Sequence, residues 1–175
     1  GDFKWSPPAA FAVVYIVSFL FLIIDHLALS LPQLSQWYNG SQAGYAAWLN
    51  AVWGAGAFGG FAALLFWFPK ITGRNTSAPK ANAALGMLAI GTLVQLGAMA
   101  SLGTDGFARE LSTYTGSFEF RNILALLGLI LAGFGLVGLL INFIQSSAKG
   151  GAAGNDPWHA GTLEWFVPSP PPVNN

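Results

Sequence analysis

Ionisable side chains are scarce in this sequence, and one pair of them stands inside an apolar run. Asp25 and His26 are neighbours in Phe19-Leu20-Phe21-Leu22-Ile23-Ile24-Asp25-His26-Leu27-Ala28-Leu29. A carboxyl beside an imidazole can load and pass a proton, or meet the edge of a bound cofactor. On a helix, however, adjacent residues point about 100° apart, so the two cannot share a face and each needs its own partner on a neighbouring element. Three readings stay open: a structural polar contact, a proton or ligand role, and exposure to lipid headgroups. Arg109 is a third polar candidate for holding a ligand between helices, and the second imidazole, His159, is isolated near the end of the chain. With no cysteine, disulfides, thiolate metal sites and cysteine nucleophiles are excluded.

The elements that must position these residues follow from composition. Hydrophobic residues make up 54% of the chain and charged residues 8%, with a mean hydropathy of +0.54. A soluble domain carries about 25% charged residues, so this is an integral membrane protein. Its 175 residues give room for four spanning helices with short connections, hence one domain. The apolar runs place those helices at about 8–31, 44–68, 81–102 and 122–145, followed by a Pro-rich tail over 149–175. The fold class is an all-α membrane protein, a bundle of four transmembrane helices. The first run is longer than the apolar core of a signal peptide, about 7–15 residues, and reads as a retained span. Asp25 and His26 lie about six residues from its far end, roughly 9 Å below the boundary. Formal charges balance, so no polybasic patch and no nucleic-acid partner is implied.

Small residues mark where helices approach. Gly56 and Gly60 in the second run, and Gly128 and Ala132 in the fourth, repeat the four-residue spacing that leaves a side-chain-poor stripe for another helix. These four form the expected helix-packing interface, and lipid is among the expected partners, its place in the grooves left open. Pro32 to Gln42 reads as a loop, with interfacial aromatics and an Asn-Gly turn. Pro69 to Lys80 reads as a polar turn that stops the second helix. Lys4, Lys70, Arg74, Lys80 and Lys149 fall at one end of the bundle, against Arg109 and Arg121 at the other. The positive-inside rule then makes both termini cytoplasmic, in a bacterial cytoplasmic membrane.

Gly54-Ala-x-x-Phe58-Gly59-Gly60-Phe61, followed by Trp67-Phe68-Pro69-x-x-Thr72-Gly73, resembles the tenth transmembrane helix of haem-copper oxidase subunit I, the cytochrome c oxidase catalytic subunit. The tail carries the most specific part of the resemblance. Asp156-Pro157-Trp158, Thr162-Leu163-Glu164-Trp165 and Pro168-Ser169-Pro170-Pro171-Pro172 are similar to the series that ends bacterial subunit I chains. The resemblance runs with few gaps from Leu22 onward, so the chain looks like the C-terminal third of subunit I, its last four helices and tail.

The departures bear on function. The resemblance places the family's two haem-ligating histidines of that helix at Ala46 and Trp48, neither of which offers an imidazole. The paired arginines that hold haem propionates fall on Arg109 and Glu110, one cation kept and its neighbour reversed in sign. The Pro-Gln-His of the next helix falls on Ala98, Met99 and Ala100, and the residues associated with a non-redox metal fall on Tyr38 and Asn39. The expectation is therefore a non-catalytic, subunit I-like structural subunit of a respiratory oxidase or larger respiratory complex. It binds no cofactor alone, haem and copper belong to a partner catalytic subunit, and its other partners are membrane subunits and lipid. Two alternatives remain: the second piece of a split catalytic subunit I, and a small carrier or assembly factor binding haem, quinone or lipid through Asp25, His26 and Arg109.

Overall fold

The computed structural model of the chain describes residues 5–108 and 116–172. Four helices are long and apolar enough to cross a membrane: Pro7–Ser30, Gln42–Thr72, Ala78–Thr104 and Phe118–Lys149. The described residues form helices and turns with no strand, so the all-α membrane bundle stands.

Helix α1 (Pro7–Ser30) opens on Pro7-Pro8, where the missing N–H groups would have had no helical partner anyway. It ends because Pro32 holds Leu31 extended, at φ −86° and ψ 121°. The same proline then starts a second helix, α2 (Pro32–Tyr38), in a segment the sequence presents as a loop. The expected loop gives way to a helix because proline at a first helical turn is a start signal. Only the end of that segment behaves as expected, with Gly40 turning the chain at φ +76°.

The second span is built in three pieces. Helix α3 (Gln42–Leu49) is capped by Ser41 Oγ, which accepts from the Gly44 N–H at 3.4 Å. A π-helical segment follows over Asn50–Ala57, and helix α4 (Phe58–Thr72) completes the crossing. Pro69 does not stop this helix, as the sequence reading had it. It sits inside the last turn, and termination waits for Gly73 at φ +70°, whose N–H bonds to the Pro69 carbonyl at 2.8 Å. Helices α5 (Ala78–Thr104) and α6 (Ser117–Lys149) likewise extend past the apolar runs that announce them, because polar residues at the ends continue the backbone ladder beyond the hydrocarbon.

Two apolar clusters organise the bundle. Phe11 of α1 packs on Phe58 and Leu65 of α4, with Ala81, Ala84 and Leu88 of α5 and Leu139 of α6. Ala46 and Leu49 meet Met99 nearer the other end. The α5–α6 seam is a close backbone approach. A Cβ placed on Gly91 would stand 2.6 Å from the Gly128 carbonyl oxygen, and one on Gly135 would stand 2.7 Å from the Leu88 nitrogen. Gly128 and Ala132 therefore lie within the bundle. Gly56 and Gly60 are exposed, and nothing comes within 4 Å of a Cβ placed on Gly60. Against α1 the second span instead presents Gly59, where a Cβ would stand 3.0 Å from the Tyr15 ring.

Asn142 joins α6 to the start of α5. It has no exposed surface, accepts from the Ser77 N–H at 3.1 Å and donates to the Ser77 carbonyl at 3.0 Å. At the other end, Arg121 pairs with Asp105 at 2.6 Å and donates to the Ser101 carbonyl at 2.9 Å.

The tail folds back on the bundle. Asn75 donates its N–H to the Gly151 carbonyl, Ala153 to that of Gly73, and Arg74 Nη1 to that of Gly150. Trp158 Nε1 donates to the Phe66 carbonyl at 2.9 Å, and Trp165, 1% exposed, stacks on Trp67 at 6.0 Å between centroids. Lys70, 5% exposed, donates to the Val167 carbonyl at 2.6 Å and lies 5.4 Å from the Trp165 ring centroid. Phe66-Trp67-x-x-Lys70 on α4 is thus a seat for the tail.

Candidate functional site

The intramembrane carboxylate and the π-helical segment meet. Asn50 is the first residue of that segment and is almost wholly buried. Its Nδ2 donates to the Ser18 carbonyl of α1 at 3.3 Å, and its side chain reaches the Asp25 carboxyl. A Cβ on Gly54 would fall on Asn50 Oδ1, so the carboxamide lies over a backbone that only glycine leaves clear. π-Helical turns widen a helix and re-aim side chains, and they recur at functional sites. Here the widening sets an amide across the gap between two spans.

Asp25 and His26 diverge, as their adjacency on α1 requires. Asp25 is half-buried and faces inward, whereas His26 is exposed and its Nδ1 lies 2.9 Å from the Leu22 carbonyl on its own helix. The two do not form one site. Arg109, the third candidate, lies outside the described residues. His159 stands in the tail at φ +53°, far from both in sequence. Asn50 was not singled out in the sequence, although an amide inside an apolar, glycine-rich run is a readable sign of a buried polar contact.

Asp25 and Asn50 face a cavity of about 400 Å³ between α1, the second span and α5. Ser18, Tyr38 and Thr92 supply its other polar groups, and the walls are otherwise apolar, among them Ala46, Phe58 and Leu96. Among the described residues, no group of three or more His, Cys, Asp or Glu is placed to hold a metal ion.

Residues 1–136 match the family model described as Cytochrome C and Quinol oxidase polypeptide I. The chain belongs to this oxidase subunit I family. It is 36% identical over 124 residues to cytochrome c oxidase subunit 1 of Thermostichus vulcanus, covering 71% of this chain and 22% of the relative. It is 29% identical to the Bacillus sp. PS3 subunit 1 and 30% identical to the heme-copper oxidase subunit I+III of Aeropyrum pernix. Both alignments cover 100% of this chain, with 29% and 21% of those relatives. The chain thus spans less than a third of the length of these relatives, and the last two alignments include the tail that carries the resemblance.

Subunit I proteins bind haem and copper. The residues present at the cavity do not fit a histidine-ligated haem. Its lining holds no histidine, cysteine or methionine, and the position resembling one haem-ligating histidine is Ala46, buried on the cavity wall. The other, Trp48, is 58% exposed and stacks on Tyr45 at 5.9 Å. The two positions that resemble the ligating pair thus offer a methyl group on the cavity wall and an indole turned outward.

Proposed function

We propose that this chain is a non-catalytic, subunit I-like component of a respiratory oxidase, holding a place in the membrane assembly without carrying redox centres itself. The observation that carries this reading is the pair Ala46 and Trp48. The backbone of the second span is kept in the family's pattern, with Ala46 buried against a cavity, while neither side chain can donate to iron. Haem and copper then reside in a partner catalytic subunit. Both termini would face the cytoplasm of a bacterial cell, a topology supported by the cations Lys70, Arg74, Lys80 and Lys149 at one end of the bundle.

Contact with other membrane subunits runs through the face of the second span that carries Gly56 and Gly60. That stripe is exposed, and in lipid a partner helix gains from close backbone approach, since apolar burial offers no advantage over the acyl chains. Purification through a tag on the tail tests the assignment. Haem-bearing membrane subunits should co-purify with the wild-type chain, and Gly60→Leu should release them. Recovery of the chain alone from native membranes would overturn it.

A further inference from the structure

We infer that the cavity between α1, the second span and α5 binds a membrane amphiphile: an apolar chain whose uncharged head donates hydrogen bonds to Asp25. This rests on the chain belonging to a membrane assembly, and it assigns the cavity that the missing histidine leaves without a ligand. Three observations converge on that chemistry.

The first is size. About 400 Å³ falls within the roughly 300–1,000 Å³ of small-molecule sites, and the polar lining groups are few against apolar walls. The second is charge. Asp25 is half-buried in a membrane-spanning helix, and its one partner with a donor group on the second span is the Asn50 amide. Among the described residues no Lys or Arg pairs with it, and the ionisable neighbour that acts on it is His26 of its own helix. A carboxyl keeps acceptor positions beyond the one the Asn50 amide fills, so Asp25 retains capacity for hydroxyl donors and disfavours an anionic head. The third is access. Val17, Phe21 and Leu93 line the cavity and are 47%, 58% and 72% exposed, so it opens sideways between α1 and α5, towards the hydrocarbon rather than the aqueous faces. A ligand entering there comes from the bilayer, tail and head together.

The same donor chemistry is offered by a glycerolipid hydroxyl and by an isoprenoid alcohol, and one experiment separates them. Native membranes holding the chain with all its subunits are labelled with a diazirine-bearing monoacylglycerol, and cross-links are mapped by mass spectrometry. Competitors are monoolein, farnesol, and oleate as the charge control. Labels should concentrate on cavity residues of α1 and α5, and monoolein or farnesol should remove them at concentrations at least tenfold below oleate. The neutral competitor with the greater effect names the source. Asp25→Leu should bring oleate and monoolein to within about twofold of each other, and Ala46→Phe should abolish cavity labelling by filling the site. Asp25→Asn, nearly isosteric, is the folding control and should keep cavity labelling while narrowing the preference. Equal competition by oleate in the wild type, labels spread over the exposed faces, or a head preference that survives Asp25→Leu would overturn the inference. Loss of the partner subunits without change in labelling would instead contradict only the assembly role.

Discussion

Leucine placed at two glycines of similar sequence context should have opposite fates. At Gly91, even the first added carbon would stand 2.6 Å from the Gly128 carbonyl oxygen and 2.9 Å from the Ala132 Cα, and both obstacles are backbone. Side-chain rotation cannot relieve such a contact, so α5 and α6 must part. A gap of 0.5–1 Å already forfeits roughly a quarter to a half of each van der Waals well along a seam. Overpacking costs about 1–3 kcal/mol, and Gly91→Leu should lie at or above about 3 kcal/mol because a whole isobutyl group follows the Cβ. Gly60 has nothing within 4 Å of its would-be Cβ. Gly60→Leu should leave the isolated bundle unharmed and can gain up to about 1 kcal/mol of helix propensity. The difference, about 3–4 kcal/mol, exceeds a hundredfold in an unfolding constant. Denaturation in mixed micelles, followed by tryptophan fluorescence, measures it. Equal midpoints for Gly91→Leu and wild type would refute the seam, and equal loss at Gly60 would place that face inside the bundle.

Trp165→Ala should free the tail from α4, since removing a buried tryptophan costs about 3–5 kcal/mol, whereas Trp165→Phe should be far milder because Trp165 Nε1 has no hydrogen-bond partner to lose among the described residues. Limited proteolysis of the tail in inside-out vesicles reads this, with rapid cutting expected for alanine and protection for phenylalanine. Asn142→Leu should destabilise the bundle by about 1–3 kcal/mol by leaving the Ser77 backbone groups unpaired, and the same micelle titration measures it. Single cysteines near Lys70 and in the tail should react with an impermeant thiol reagent only from the cytoplasmic side, and one near Tyr38 only from outside; the reverse pattern would invert the topology.

The four spans were legible because hydrophobic length alone names a membrane helix, and in a bilayer few other structures are possible. Their ends were less so, since Pro69 and Pro32 carry the same local restriction and only tertiary context decides whether proline stops, starts or interrupts a helix. The glycine spacing shows where a helix can approach closely, but it says nothing of which stripe meets which neighbour. Gly128 and Ala132 meet Gly91, while Gly56 and Gly60 face outward. Asp25 and His26 were readable as a divergent pair from helix geometry. The cavity was not, because it is the joint product of a π-helical turn at Asn50 and small residues at Ala46 and Gly97, drawn from helices distant in sequence.

If Ala46 and Trp48 stand where subunit I proteins carry haem-ligating histidines, this chain binds no haem of its own. The visible absorption spectrum of the purified chain after detergent exchange tests it most directly, with the pyridine haemochrome assay to quantify haem. No stoichiometric haem and no Soret band are expected. A Soret band that persists through exchange and is lost in His26→Ala would contradict it, because an exposed imidazole on α1 would then be doing the work that Ala46 and Trp48 cannot.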